Sequence, residues 1–133
     1  MAPAVPVGVI FFMNQAFFWV FIGGGAGSML RYGLSLALAP VQSRFPWATL
    51  TANVAACFIL GMVLAAHSMD QMSETRRLLL ATGLCGGFST FSTFTADNWQ
   101  LLQHGHTLTA VLNMFINLSL CMVFFVLGWK IRF

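Results

Sequence analysis

The side chains able to do chemistry in this chain are neutral hydrogen-bond donors set inside apolar stretches. Thr49, Thr51 and Asn53 lie in one stretch, Ser89, Thr90, Ser92 and Thr93 in a second, and Asn113, Asn117 and Ser119 in a third. Each donates a hydrogen bond without bringing fixed charge. Phe91 and Phe94 are interleaved with the hydroxyls, three residues apart and so neighbours on one helical face. A phenyl ring has a positive edge, so rings and donors together favour a small anion over a cation. Proton- and cation-coupled transporters rely on an intramembrane carboxylate. Here Asp70 and Glu74 fall in a polar loop and Asp97 near the far end of a span. The lining therefore predicts passive conduction.

Residues 82–95, Thr-Gly-Leu-Cys-Gly-Gly-Phe-Ser-Thr-Phe-Ser-Thr-Phe-Thr, concentrate these groups within the uncharged run Leu78–Ala96. Polar or non-helical backbone at membrane depth is tolerated only where it is buried in protein or lines a cavity. The glycines at 83, 86 and 87 make unwinding inexpensive. An unwound turn frees carbonyl oxygens, which suit a hard cation.

The elements that must position these groups follow from composition. Of 133 residues 59% are hydrophobic and 7% charged, with a mean hydropathy of +0.84. A soluble domain carries about 25% charged residues, so a water-facing surface could not be covered. A spanning helix needs about 20 apolar residues. The pattern predicts an all-α membrane protein of one domain with four transmembrane helices, at about 15–39, 47–66, 77–103 and 108–129, the third of them broken. Residues 1–14 read as an N-terminal extension, or alternatively an interfacial segment, since they lack the basic flank and cleavage site of a secretory signal. Pro40 and Pro46 bracket a connection containing Arg44, Ser73 and Glu74 are set to cap the third helix, and Gln103–His106 make a tight turn.

With four spans, both termini and the 67–75 loop share one side, which carries Arg76, Arg77, Lys130 and Arg132 against Arg44 and Arg31 on the other. The positive-inside rule puts the termini in the cytoplasm, by a bias slight enough to leave both orientations open. The basic residues form no patch, which excludes nucleic acid as a partner. Cys57, Cys85 and Cys121 fall one to a span without a C-x-x-C pair, and read as small packing residues. His67, His104 and His106 sit at span ends, so no nucleophile–base pair points to an enzyme. Gly23 and Gly27 are spaced for close helix packing. Three alternatives stay open: Ser89 and Thr90 line a path or bond back to a carbonyl four residues earlier. Asn53 donates into a pore or glues helices together. Arg31 lines a vestibule or snorkels at a helix end.

Gly86-Gly-Phe-Ser-Thr-Phe-Ser-Thr-Phe94, with Thr49-Leu-Thr-Ala-Asn53 and Gly23-Gly-Gly-Ala-Gly-Ser-Met-Leu-Arg31, resembles the Fluc/CrcB family of bacterial fluoride channels. The resemblance covers the four-span layout from about Gln15 onward. It implies a passive, fluoride-selective channel that exports cytoplasmic fluoride, built as an antiparallel homodimer with two pores in the bilayer of the bacterial inner membrane. It further implies a structural sodium ion at the dimer axis, held by the carbonyls of Gly86 and Ser89. The pore residues it implies are Phe91, Phe94 and Asn53, with Ser92 and Thr93 as hydroxyl donors and Arg31 at the vestibule. On the fourth span this chain offers Asn113 and Asn117, one turn apart, where the family carries polar side chains. A small multidrug exporter would need a glutamate in its first span, and 15–39 has none. A non-conducting membrane scaffold would need packing motifs but no donor track.

Overall fold

The computed structural model describes residues 7–41 and 45–131, with side chains from residue 15 onward. Arg44 and Arg132, used above to weigh orientation, lie outside the described residues, as do residues 1–6. The elements run α1 (Val7–Leu38), a 3₁₀ turn (Ala39–Val41), α2 (Trp47–Ser68), α3 (Glu74–Arg77), a π-helical segment (Leu78–Cys85), α4 (Gly86–Phe88), α5 (Phe91–Gln103) and α6 (Thr107–Lys130). No strand occurs among the described residues.

Three of the described helical stretches are long and apolar enough to cross a membrane: Trp47–Ser68, Glu74–Gln103 and Thr107–Lys130. The 32-residue α1 is longer than any of them and carries Arg31 as its single charged residue. Its helix starts at Val7, so residues 7–14, read from sequence as part of an extension, continue the helix instead. Of the other boundaries, those at 47 and 103 coincide with the expectation, the end of α1 moves inward by one residue, and the rest shift outward by one to three. Ser73 explains one shift, because its side chain accepts from the Arg76 N–H and starts the helix at Glu74. Gly105, at φ 78°, closes the turn after α5 in the left-handed region that favours glycine.

Half of α2's apolar window is buried, against about a sixth in the other two membrane-capable stretches, so α2 is the central helix. It packs along α6 in a parallel register with a constant offset. Asn53 meets Asn117 across a separation of 64 residues, and Gly61 meets Phe125 at the same separation. A Cβ at Gly61 would overlap the Phe125 carbonyl, and one at Gly128 the Phe58 carbonyl. The two backbones touch because neither helix carries a side chain there. α1 packs on the π-helical segment and α4 in the same manner, through Gly23 and Gly27. The outer faces carry large apolar side chains, among them Phe17 at 70% exposure, Phe21 at 76% and Phe115 at 75%. Such an apolar surface fits lipid and not water.

The α1 contact makes a testable contrast. A Cβ at Gly27 would meet the Leu84 carbonyl and the Phe88 nitrogen, both backbone atoms that cannot yield locally, whereas nothing lies within 4 Å of a Cβ at Gly25. Gly27→Val is expected to destabilise the protein by about 3 kcal/mol, the upper range of overpacking. Gly25→Ala should be neutral or slightly stabilising in its helical position. Thermal unfolding midpoints in detergent check both. Equal midpoints for the two variants would refute the close-packing account.

Candidate functional site

The helix through the third span stops at Phe88 and resumes at Phe91. Between them Ser89 (φ −75°, ψ 155°) and Thr90 (φ −154°, ψ 116°) are extended. Thr90 organises this interruption. Its hydroxyl caps α5 by accepting from the Thr93 N–H at 3.1 Å, and its own N–H donates to Asn53 Oδ1 at 2.8 Å. In an unbroken α-helix those two N–H groups would serve the carbonyls four residues earlier, which are Ser89 and Gly86. Both carbonyls therefore lose their helical donors. The intervening Gly87 carbonyl receives Arg31 Nε at 3.2 Å.

Two clefts meet at Thr90. One, of about 240 Å³, is lined by Asn53, Ser89, Thr90, Phe91, Phe94, Asn117, Leu118 and Cys121. The other, of about 230 Å³, is lined by Ser28, Arg31, Tyr32, Ser35, Ala48, Thr49, Thr90 and Thr93. No carboxylate lines either of them. In the first cleft the Phe91 and Phe94 rings stand 5.7 Å apart, tilted by 39°. Asn53 Nδ2 donates to Asn117 Oδ1 at 3.3 Å. That leaves the Asn117 Nδ2 group buried with no hydrogen-bond partner. An unpaired buried donor costs about 1–3 kcal/mol, so this amide is poised for an acceptor that the protein does not itself supply.

The residues expected from sequence divide between these places. Asn53, Asn117, Phe91, Phe94 and Ser89 share the first cleft, while Arg31 and Thr93 line the second. Ser92 is exposed, with its hydroxyl 3.1 Å from that of Thr90, and lines neither. Asn113 likewise lines neither cleft. It is fully buried and donates to Asn98 Oδ1 at 3.0 Å, while Asn98 donates to the Phe94 carbonyl at 2.7 Å. Through Asn98, Asn113 thus supports the backbone that carries Phe94. Of the hydroxyls left open, Ser89 bonds back to the Cys85 carbonyl at 2.9 Å and Thr90 does not. Gly23 and Gly27 serve close packing.

Sequence reasoning missed Asn98, the central role of Thr90, and the pair in which Thr49 Oγ1 donates to Asp97 Oδ2 at 2.6 Å. Thr49 sits four residues before Asn53, one turn away on the same face, and that spacing was the available signal. Among the described residues no group of three or more His, Cys, Asp or Glu side chains is placed to hold a metal ion. The freed carbonyls of Gly86 and Ser89 are oxygen donors of the type a hard cation takes.

The sequence profile described as "CrcB-like protein, Camphor Resistance (CrcB)" matches residues 18–129. The chain is 40% identical over 113 residues to the "Fluoride-specific ion channel FluC" of Serratia proteamaculans (strain 568), covering 84% of this chain and 89% of that protein. It is 50% identical over 100 residues to the protein of the same name from Cronobacter sakazakii (strain ATCC BAA-894), covering 74% and 79%. Its identity to the namesake of Escherichia coli (strain ATCC 8739) is 46% over 107 residues, covering 80% and 84%.

Proposed function

The chain belongs to the CrcB-like family, and from that membership we propose that it is a passive, fluoride-selective ion channel of the bacterial inner membrane. Its curated relatives are ion channels and not enzymes. The observation that carries the reading is the unpaired Asn117 amide in a cleft shared with Phe91, Phe94 and Asn53. Fluoride is small, strongly hydrated and accepts hydrogen bonds only. A pore must therefore replace its water with donors, and this cleft supplies a free N–H₂ group and ring edges without a competing carboxylate.

The path runs from the Arg31 cleft past Thr90 into the aromatic cleft. Arg31 raises the local concentration of anions at the mouth. Thr93 offers its hydroxyl there, while that of Thr49 is committed to Asp97. Beyond Thr90 the ion meets Asn117 Nδ2 and then the positive edges of Phe91 and Phe94. Beyond Arg31 every donor on the route is neutral, so no fixed charge traps the ion inside, and binding stays weak enough for release. Flux then follows the fluoride gradient and exports fluoride when the cytoplasm holds more.

A second copy in antiparallel orientation completes this arrangement. Gly86 is exposed, with nothing within 4 Å of where a Cβ would stand. Freed carbonyls facing hydrocarbon are costly, and a partner's matching surface would cover them. The Gly86 and Ser89 carbonyls of two copies would hold a sodium ion, which supplies fixed positive charge between two anion routes.

Protein in liposomes loaded with potassium fluoride is expected to release fluoride within seconds once valinomycin shunts the charge, while chloride stays inside. Equal chloride release, or fluoride release only under an imposed proton gradient, would overturn the channel reading.

A further inference from the structure

One feature the conduction path does not use is the set of cysteines, one in each of three spans. All three thiols are free. The parallel register of α2 and α6, which pairs Asn53 with Asn117 at a separation of 64 residues, pairs Cys57 with Cys121 one turn further along. The Gly61–Phe125 backbone contact, at the same separation a further turn along, brackets this pair on its other side. Cys121 Sγ also donates to Asn117 Oδ1 at 3.6 Å, the same oxygen that accepts from Asn53. Cys85, on the π-helical segment, is buried.

A dithiol in register across a close-packed helix pair has a defined coordination chemistry. The lack of a third placed ligand among the described residues rules against a tetrahedral ion such as zinc, which takes four. Thiolates select soft ions, and a soft ion of linear preference needs only two. Charge then decides between the soft ions. Two thiols binding a divalent ion release two protons and form a neutral complex, whereas a monovalent ion would leave one negative charge in hydrocarbon, at a cost of several kcal/mol. We propose that Cys57 and Cys121 form a site for one soft, two-coordinate divalent metal ion of the mercuric class, and that occupancy closes the adjacent anion cleft. Binding takes the proton that Cys121 shares with Asn117 and pins α2 to α6 one turn from the amide pair. Asn117 then rearranges at the point where the anion would meet it.

The site is tested in two arms with mercuric nitrate in chloride-free buffer. In detergent, the intact protein is expected to take up one mercury with loss of two protons, read in the intact mass and in a thiolate-to-mercury absorption band. Cys85→Ser should retain this, while Cys57→Ser and Cys121→Ser should lose the two-thiol product. In liposomes, stoichiometric mercury should slow fluoride efflux at least tenfold, and 2,3-dimercaptopropanol should restore it. Cys57→Ser should escape inhibition when compared with its own untreated rate. The binding arm does not depend on which ion permeates, and the flux arm rests on the channel reading. A two-thiol adduct that survives Cys57→Ser or vanishes in Cys85→Ser overturns the site. Full occupancy with unchanged efflux overturns its effect on the cleft.

Discussion

Asn53→Asp is expected to reduce fluoride efflux at least a hundredfold while leaving the protein folded. The substitution keeps an oxygen where Asn53 Oδ1 accepts the Thr90 N–H at 2.8 Å, so the break in the third span keeps its partner. It removes the N–H₂ group that donates to Asn117 Oδ1 at 3.3 Å and places a carboxylate in the aromatic cleft. A unit charge about 4 Å from a passing anion repels it by about 4 kcal/mol at an effective dielectric constant near 20. Three tenfold factors amount to about the same energy, so a hundredfold loss is the conservative expectation. Asn53→Ala removes charge, donor and acceptor together. It leaves the Thr90 N–H buried without a partner, at a cost of about 1–3 kcal/mol in stability. Both variants lose stability, the alanine by orphaning the Thr90 N–H and the aspartate by burying a charge, but only the aspartate adds a repulsion that stops flux. Efflux from Asn53→Asp within a few fold of the parent would remove Asn53 from the path.

The sequence made the third span legible because its glycines, hydroxyls and rings have no use on a lipid-facing helix. What it could not show was how long-range pairing divides them. Asn113 and Asn117 are one turn apart and share a face, yet the turn at Gly105 folds α5 against α6 and brings Asn98 to Asn113. That contact takes up the Asn113 amide and leaves only Asn117 facing the cleft. Thr93 illustrates the opposite case. It is two residues beyond Phe91, about 200° around an α-helix, so its place in the Arg31 cleft, away from the rings, was deducible from spacing alone. Thr90 was hard to read because a threonine in an apolar span usually bonds to its own helix. Its role as a cap depends on Asn53, 37 residues away, drawing off its N–H. The cysteines read as packing residues singly. Only the register of α2 against α6 brings two of them together.

Phe91→Ile and Phe94→Ile should each slow fluoride efflux about tenfold, by removing a ring edge and keeping an apolar side chain of useful size. An aromatic electrostatic contact is worth about 0.5–1.5 kcal/mol, and a tenfold change in rate corresponds to about 1.4 kcal/mol. The cost to folding should differ between the two. Phe91 is 80% exposed in the single chain, while Phe94 is half-buried. Phe91→Ile should therefore leave the unfolding midpoint unchanged in detergent, and Phe94→Ile should lower it by a few degrees. The double variant addresses mechanism. With ring centroids 5.7 Å apart, a small ion meets the two edges one after the other. Two barriers in series make the slower one limiting, so the double variant should conduct about as fast as the slower single variant. Rings acting on one ion together would instead multiply the losses to about a hundredfold. Normal conduction by both single variants would show that the rings only pack.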